Sequence, residues 1–535
     1  MTHGMVCAPQ PEAVEAGVLA LRRGGNAVDA AICCALVQTV VDPQMCGIAG
    51  MGSMHLHLPD KNHHQFIDFY GRAPLKTTPD MWEDILIGEA QDGFGFALEG
   101  AVNDVGYQAV TAPGSLLAYF TAIERHGTMD WKDIMAPAIK IAEEGFKVRP
   151  YMSTFWNEKM AFGLVGCKER LAFTQAGRDI YFKPDGTLLE PGEVLKNPDM
   201  ARTLKRISEG GIDIFYCGEI ADEIVADMER HGGLLGKADL ENYQLDDNEP
   251  LWGDYRGYRI ATNPPPGGGI MVLQMLNILE HFDLRALGHN SPEYIRIVAE
   301  AMKLATIDKD AHIGDPKFVD VPVERLLSDE YAAQCAQAIR NGEIAHVPRV
   351  EQTPESKETT HICAVDDHGN TVSMTHTLGM PSGALTKGLG FMYNGCMSVF
   401  DPRPGHSDSL APGKARFTAM APSIVYKDDK PVLVIGAPGG TYITMGVLQG
   451  ILNVIDFDMS AQSAVAAPRI CATSDIIDVV NRIPRYVTDE VASYGYEVRR
   501  SHKNYHFAGV HAIKLTDGKW EGGADPGRDG VALEV

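Results

Sequence analysis

Three threonines stand at the open end of a predicted hairpin, where their hydroxyl groups could act as nucleophiles. Two β-branched runs flank the turn sequence Asp-His-Gly-Asn. We expect Asp366 to pair with Thr371. On that register Thr360 lies opposite Thr377, and Thr359 lies one position further out. A threonine hydroxyl is a poor nucleophile unless a base takes its proton, and taken alone Thr-Thr-His is most simply the start of a β-prone strand.

Two glycines, Gly439 and Gly440, form a second candidate element. They follow a short β run at 431–435 and precede a predicted helix at 441–455. Their N–H groups lack side-chain cover and lie at a helix amino terminus, where the helix dipole favours negative charge. On spacing alone this turn could hold an oxyanion, cradle a phosphate or be a plain tight turn.

Many separate runs along the chain match one family, in that family's order. Besides Thr-Thr-His and Gly-Gly, they are Arg-Arg-Gly-Gly-Asn-Ala-Val-Asp-Ala-Ala (22–31), Ala-Pro-Gly-Ser (112–115), Phe-Tyr-Cys-Gly-Glu (215–219), Asp-Leu-Glu-Asn-Tyr (239–243), Pro-Pro-Pro-Gly-Gly-Gly (264–269) and Gly-Asp-Pro (314–316). Over nearly its whole length the chain therefore resembles the gamma-glutamyltranspeptidase family of N-terminal nucleophile hydrolases.

The resemblance implies a precursor that cuts its own chain between Glu358 and Thr359. Thr359 would become the nucleophile, and its new α-amine, with a reference pKa of about 7.7–8.0, would serve as its base. Thr377 would hydrogen-bond the nucleophile's hydroxyl, and Gly439 and Gly440 would hold the oxyanion. No metal or organic cofactor is implied. The polar stretch at 340–357 is typical of a solvated linker before a cleavage point.

The substrate pocket departs from that of gamma-glutamyl enzymes. Those enzymes bind the substrate's α-carboxylate with an arginine and a Ser-Ser pair, but here Tyr70 stands at the arginine's position and Thr418-Ala419 at that of the serines. The run at 394–400 has no carboxylate to hold the α-amine. Each charge-assisted bond that is lost is worth about 1.5–3 kcal/mol, so efficient gamma-glutamyl binding is not expected.

Other residues are expected at the pocket from the same alignment. Arg72, two positions beyond Tyr70, is able to bind a substrate carboxylate in a bidentate manner and is equally able to form a structural ion pair. Tyr393, Asn394 and Thr418 are expected to line the pocket together with Tyr70.

Histidines and cysteines are not expected to supply the chemistry. His361 and His376 lie in the hairpin strands, where packed or hydrogen-bonded histidines are commoner than bases, and His63-His64 is predicted to be a loop pair. The ten cysteines show no C-x-x-C spacing, and Cys33 and Cys34 lie on an apolar helix. We therefore predict buried thiols, a reducing compartment and no zinc site.

Composition excludes several classes of protein. Hydrophobic residues make up 45% of the chain and charged residues 22%, as in an ordinary globular protein, and a net charge of −24 repels nucleic acid and anionic membranes. The apolar stretch at 27–41 has the length of a buried helix and is too short for a membrane span. The absence of a secretory signal at 1–11 predicts a cytoplasmic location, or a periplasmic one if a leader has been removed.

We therefore predict an α/β fold, a four-layer αββα sandwich built as one domain from a large part (1–358) and a small part (359–535). The predicted reaction is hydrolysis or acyl transfer of a small carboxylate-bearing acyl amide, of the oxamate or glutaryl-amide kind. The predicted partners are this substrate and the two pieces themselves, as a heterodimer that could dimerise further. A gamma-glutamyltransferase or glutathione hydrolase is the alternative, and an unprocessed binding protein of the same fold is the second.

Overall fold

Two antiparallel sheets form the centre of the protein. The computed structural model describes residues 4–89, 95–158, 164–347 and 359–535, so Glu358 and most of the predicted linker lie outside the described residues. In spatial order the first sheet contains Val531–Glu534, Met5–Ala8, Thr360–Val365, Thr371–Thr377, Met51–Leu58, His63–Phe69 and Asp246–Asn248. The second contains Lys519–Ala524, His511–Thr516, Lys430–Gly436, Ser423–Lys427, Tyr258–Thr262 and Leu251–Tyr255.

Helices cover the outer face of each sheet. The first sheet is covered by Pro11–Arg22, Ala27–Val41 and Ser115–His126, with Trp131–Glu144 and Pro198–Gly210 packed behind them. The second is covered by Gly269–Leu279, Ile443–Ile455 and Ala461–Ala466, with Pro292–His312, Asp329–Arg340 and Arg485–Ser493 behind them. The predicted αββα order is confirmed.

Shorter elements complete the chain. The short helices are Pro150–Trp156, Cys167–Leu171, Gln175–Tyr181, Asp213–Tyr216, Glu219–Arg230, Lys237–Glu241, Leu284–Leu287 and Val323–Leu326. The small sheets pair Leu86–Glu89 with Phe96–Leu98, Phe146–Lys147 with Val194–Leu195, and Ile476–Val479 with both Ile470–Cys471 and Glu497–Arg500. Within the described ranges, no helix is both long and apolar enough to cross a bilayer.

The apolar helix Ala27–Val41 shows how the sequence builds these layers. Its amino terminus is capped by Asn26, whose side chain accepts from the N–H groups of Val28 and Asp29. Every residue of the helix is buried, because the sheet lies on one side and other helices lie on the other. The Asp366 carboxylate accepts from the Ala27 N–H at 2.9 Å, which joins this helix to the turn of the threonine hairpin.

The hairpin register differs from the prediction by one residue. Val365 pairs with Thr371, and the loop contains three residues, because the Asp366 N–H donates to the Asn370 carbonyl at 3.1 Å. Gly369, with φ of 78°, takes the left-handed position that such loops require. The pairing of Asp366 with Thr371 was therefore wrong.

A further prediction is corrected. His63 and His64 are not a loop pair, because they begin the strand His63–Phe69. The stretch 381–412 contains only a 3₁₀ turn, Cys396–Val399, yet it is largely buried between 381 and 402. It packs there because its polar groups find partners within the protein, as for the Ser382 N–H, which donates to the Tyr393 carbonyl at 3.0 Å.

Candidate active site

The corrected register places Thr359 beside Thr377 at the end of the hairpin. Thr360 pairs with His376, so the next pair outward is Thr359 with Thr377, and the Thr359 hydroxyl donates to the Thr377 hydroxyl at 3.2 Å. The Gly379 N–H donates to the same Thr377 oxygen at 2.8 Å. Both threonines are buried, with exposed fractions of 3% and 2%. The two hydroxyl groups therefore form one fixed unit.

An arginine holds the main chain of Thr359. The Arg528 guanidinium donates from Nη2 to the Thr359 carbonyl oxygen at 2.7 Å, and its Cζ lies 4.9 Å from the centre of the Tyr151 ring. Arg528 belongs to a short 3₁₀ turn, Pro526–Arg528, in which the Gly527 N–H donates to the Asp525 side chain at 2.8 Å. Arg528 therefore fixes the position of Thr359, although the two residues lie in different parts of the chain.

A buried chain of polar side chains lies under the two threonines. The Gln38 amide donates to the Thr360 hydroxyl at 3.0 Å, and its oxygen contacts His376 Nε2 at 2.7 Å. His376 Nδ1 contacts the Tyr119 hydroxyl at 2.6 Å. Both ring nitrogens of His376 are thus engaged, and burial lowers its pKa to about 3. His376 is a neutral, positioned side chain, as the sequence predicts.

His361 has the same character. Its Nδ1 contacts the Thr375 hydroxyl at 2.8 Å and its Nε2 contacts the Cys363 sulfur at 3.2 Å. Burial, with a smaller contribution from the nearby His376, lowers its pKa to about 3. Neither hairpin histidine is placed as a base at neutral pH.

The lowered pKa of His361 predicts an acid-sensitive stability. The unfolded state takes up a proton below about pH 6.5 while the folded state stays neutral down to about pH 3, so this residue lowers the free energy of unfolding by about 1.4 kcal/mol per pH unit across that window. We expect the slope of a His361→Gln protein to be smaller by this amount, while His376 keeps its own contribution. Urea unfolding of both proteins between pH 7.5 and pH 5 measures it, and parallel curves would contradict the assignment.

The glycine turn lies against the same end of the hairpin. The strand Lys430–Gly436 ends beside His361, so closely that a Cβ on Gly436 would lie 2.1 Å from the imidazole Cε1. Gly439 and Gly440 follow, with φ of 141° and 55°, and lead through a 3₁₀ turn into the helix Ile443–Ile455. The first N–H groups of a helix have no acceptor within it. This turn can therefore present donors to a developing negative charge.

A strained segment packs against Gly439. Phe507 and Ala508 are consecutive residues with positive φ, 60° and 72°, a conformation that costs non-glycine residues free energy and that clusters at functional sites. The Arg469 guanidinium, 2% exposed, donates to both of their carbonyls, at 3.2 and 2.8 Å, and pairs with the Asp525 carboxylate. The buried ion pair holds the strained segment against the glycine turn.

Comparison with known proteins agrees with this geometry. The model of the family described as Gamma-glutamyltranspeptidase matches residues 13–535. The chain belongs to the gamma-glutamyltranspeptidase family. Membership confirms the family resemblance and the enzyme class, an amide-hydrolysing N-terminal nucleophile hydrolase.

Relatives within the gamma-glutamyltranspeptidase family carry two kinds of name. The chain is 37% identical to an "Acylase ACY 1 proenzyme" of Pseudomonas sp. (strain V22), covering 100% of this chain and 94% of the relative. It is 34% identical to a "Glutathione hydrolase proenzyme" of Bacillus subtilis (strain 168), covering 99% and 91%. The crystal structure of cephalosporin acylase from Bacillus halodurans superposes with a TM-score of 0.88 at 31% identity, covering 99% of this chain and 96% of that one.

Within this family framework, Arg72 is engaged by the protein itself. Its guanidinium forms an ion pair with Asp246, lies 3.9 Å from the Asp315 carboxylate and donates to the Gly413 carbonyl at 3.3 Å. These contacts correspond to the structural ion pair, the second of the two roles considered for Arg72. Substrate binding by Arg72 stays a prediction.

The other predicted pocket residues are also tied into the protein. The Asn394 amide accepts from the Thr111 N–H and hydroxyl and donates to the Ala49 and Thr111 carbonyls. Tyr70 accepts from the Asn263 amide at 3.2 Å, and the Tyr393 hydroxyl contacts Thr386 at 2.7 Å. The Thr418 N–H donates to the Pro266 carbonyl at 2.9 Å. All four are buried, and their substrate contacts stay predictions.

Sequence reasoning missed Arg416 and Arg528, two buried arginines near the threonine pair. A Cβ on Gly379 would lie 3.3 Å from Arg416 Nη2 and 2.6 Å from the Cys396 sulfur, so Arg416 reaches the glycine whose N–H donates to Thr377. Arg416 is 1% exposed and donates to the Phe417 carbonyl at 2.7 Å. Both arginines belong to the small part of the chain, but no local sequence pattern distinguishes them from its other arginines.

Proposed function

We propose that this protein is a self-cleaving acylase of the gamma-glutamyltranspeptidase family, which hydrolyses an amide of a small carboxylate-bearing acyl group through an ester on Thr359. The observation that carries the proposal is the buried hydrogen bond between the Thr359 and Thr377 hydroxyls, beside a glycine turn. Relatives named as acylases support the reaction class.

We propose that maturation divides the chain between Glu358 and Thr359 into pieces 1–358 and 359–535. The relatives named proenzymes support a precursor. The two pieces would stay together as a heterodimer, because strands of both alternate in one sheet: Met5–Ala8 pairs with Thr360–Val365, and Thr371–Thr377 pairs with Met51–Leu58. The amine freed by the cut would then lie on the residue whose hydroxyl is already positioned.

In the proposed reaction, the Thr359 hydroxyl oxygen attacks the amide carbon and its proton passes to the Thr359 α-amine. The carbonyl oxygen becomes an oxyanion and accepts from N–H groups of Gly439 and Gly440. When the C–N bond breaks, the proton moves to the leaving amine and an ester remains on Thr359. Water, deprotonated by the same amine, then attacks the ester carbon. The bond to the Thr359 oxygen breaks, the proton returns from the amine to that oxygen, and the acid is released. Thr377 fixes the direction of the attacking oxygen through its 3.2 Å hydrogen bond.

We propose that Arg416, in place of the missing family arginine, binds the carboxylate of the acyl group. It lies on the Thr377 side of the nucleophile, next to Gly379, and guanidinium binds carboxylate with two parallel hydrogen bonds. Arg72 is already held by Asp246 and is the weaker candidate.

Replacing each of the two arginines by methionine tests this assignment. With one acyl length and one leaving amine, we expect Arg416→Met to lower the kcat/KM ratio of a carboxylate-bearing acyl amide to a neutral one by about 10²-fold, since about two charge-assisted bonds are lost. Arg72→Met, the matched control, should lower thermal stability and leave that ratio in place. If Arg72→Met changes the ratio and Arg416→Met does not, the anion site is at Arg72.

A substrate panel tests the function as a whole. Purified, processed protein should hydrolyse glutaryl and oxamate-type amides with a higher kcat/KM than gamma-glutamyl anilide or glutathione. Faster hydrolysis of glutathione would favour a gamma-glutamyl hydrolase that binds its substrate through rearranged residues. A protein that stays in one piece and hydrolyses none of these amides would favour the non-catalytic alternative.

A further inference from the structure

A cavity of about 350 Å³ lies beside the candidate active site. It shares two wall residues with the site, since Gly439 and Arg528 both line it and Arg528 donates to the Thr359 carbonyl. Arg416, the residue proposed to bind the acyl carboxylate, does not line this cavity and lies next to Gly379. Besides its oxygen, the carbonyl carbon that Thr359 attacks carries two substituents, the acyl group and the amine nitrogen. If the carboxylate of the acyl group is bound at Arg416, this cavity is left for the amine.

Aromatic side chains form one part of the cavity wall. Tyr151, Phe155, Tyr442 and Phe507 line it, with the Tyr442 and Phe507 rings edge to face at 5.6 Å and the Phe507 ring stacked on His506 at 4.7 Å. Phe507 is the first residue of the strained segment that Arg469 holds, so this wall is fixed. Flat apolar groups fit such walls best.

One cation in the wall has an unmet hydrogen-bond donor. Arg528 is 8% exposed, and its Nε has no hydrogen-bond partner among the described residues, whereas its Nη2 is used by Thr359. Across the cavity Lys503 pairs with Glu158, so that cation is already balanced. A buried guanidinium N–H without a partner favours an anionic acceptor.

We propose that this cavity, called here the aromatic pocket, is the binding site for the amine half of the substrate and takes a flat, ring-bearing amine that carries a carboxylate. The inference rests on the proposed amidase function and adds the leaving group to it. The ring lies between the aromatic walls, and the carboxylate lies at Arg528.

Amides that share one acyl group and differ in the amine test the proposal. The probes are the methylamide, the anilide and the 3-carboxyanilide, and the free product 3-aminobenzoate serves as an inhibitor. Thr154 lines the pocket at an exposed position, so Thr154→Trp can fill the space without disturbing the core. We expect it to lower the kcat/KM ratio of 3-carboxyanilide to methylamide at least tenfold and to raise the inhibition constant of 3-aminobenzoate at least tenfold.

Two further variants sharpen the result. Tyr151→Ala, which removes one aromatic wall, should shift both quantities in the same direction as Thr154→Trp. Tyr486→Ala, at a side chain that is 74% exposed and does not line the pocket, should shift neither. In wild-type protein, 3-aminobenzoate should inhibit more strongly than aniline, because only the former has the carboxylate.

The outcomes separate this inference from the proposed function. If processed wild-type protein hydrolyses no amide, the proposed function itself fails. If it hydrolyses the methylamide and the anilides but both pocket variants keep the wild-type ratio and inhibition constant, only the aromatic pocket is wrongly assigned. If the pocket variants instead change the preference between carboxylate-bearing and neutral acyl groups, the pocket binds the acyl half and the proposal is overturned.

Discussion

A Thr359→Ala protein will run on a denaturing gel as one chain of 58.2 kDa and will have no measurable amidase activity. The wild-type protein will instead give two bands of about 39 and 19 kDa, in proportion to pieces of 358 and 177 residues. The reason is that one residue supplies both the hydroxyl that attacks and, after cleavage, the amine that takes its proton. Neither hairpin histidine can replace these groups, since burial keeps both His361 and His376 neutral and their ring nitrogens are engaged elsewhere.

Thr359→Ser is the matched control, because serine keeps the hydroxyl and the amine. It should be cleaved and active, although more slowly, as should Thr377→Ala, which keeps the nucleophile and removes its partner. Amino-terminal sequencing of the small piece should begin at Thr359 in the wild type. A processed and active Thr359→Ala protein, or a small piece that begins elsewhere, would exclude the proposed mechanism.

The elements with clear terminal signals were predictable from the sequence. The helix Ala27–Val41 coincides with the apolar stretch 27–41 that the sequence predicts to be a buried helix. Asn26 caps its first turn, and such signals act within a few residues. The helix predicted at 441–455 begins two residues later, at Ile443, because Gly440–Tyr442 forms a 3₁₀ turn first.

The hairpin register was not predictable, because loops of three and four residues differ by a single hydrogen bond at the turn. The Asp366 N–H closes the shorter loop onto Asn370, and the Asp366 carboxylate accepts from His368 and Asn370. That local choice sets which residues face each other at the far end. It decides that Thr359, and not Thr360, lies opposite Thr377.

The surroundings of Thr359 were beyond sequence reasoning for a different reason. Arg528 contacts Thr359 across 169 residues, and Arg416 and Gly379, which lie side by side, are both outside the helices and strands. No periodic pattern reports such contacts, because they depend on how two sheets and their loops pack together. Conversely, Arg72 lies two positions beyond the aligned one, and it is held by Asp246, which is 174 residues away in the sequence.

The glycine turn is the second position where one substitution should have a very large effect. A Cβ on Gly439 would lie 2.8 Å from the Ala508 Cα, which is backbone and cannot rotate away, and 3.1 Å from the Ala508 Cβ. Ala508 itself is fixed, because Arg469 holds its carbonyl at 2.8 Å and Gly446 packs against its methyl group. The turn must therefore move if the side chain at Gly439 grows by one carbon.

We expect Gly439→Ala to lower kcat by about 10²–10³-fold, the usual cost of a displaced oxyanion donor, in protein that still folds. Gly518→Ala is the matched control, since Gly518 also has positive φ, 77°, but an added Cβ there meets no atom within 4 Å. Both variants lose free energy of folding because alanine is placed at positive φ, but only the alanine at position 439 displaces the glycine turn. Steady-state kinetics and thermal unfolding of the two proteins separate the effects. If Gly439→Ala keeps kcat within a few fold of Gly518→Ala, another pair of donors must stabilise the oxyanion.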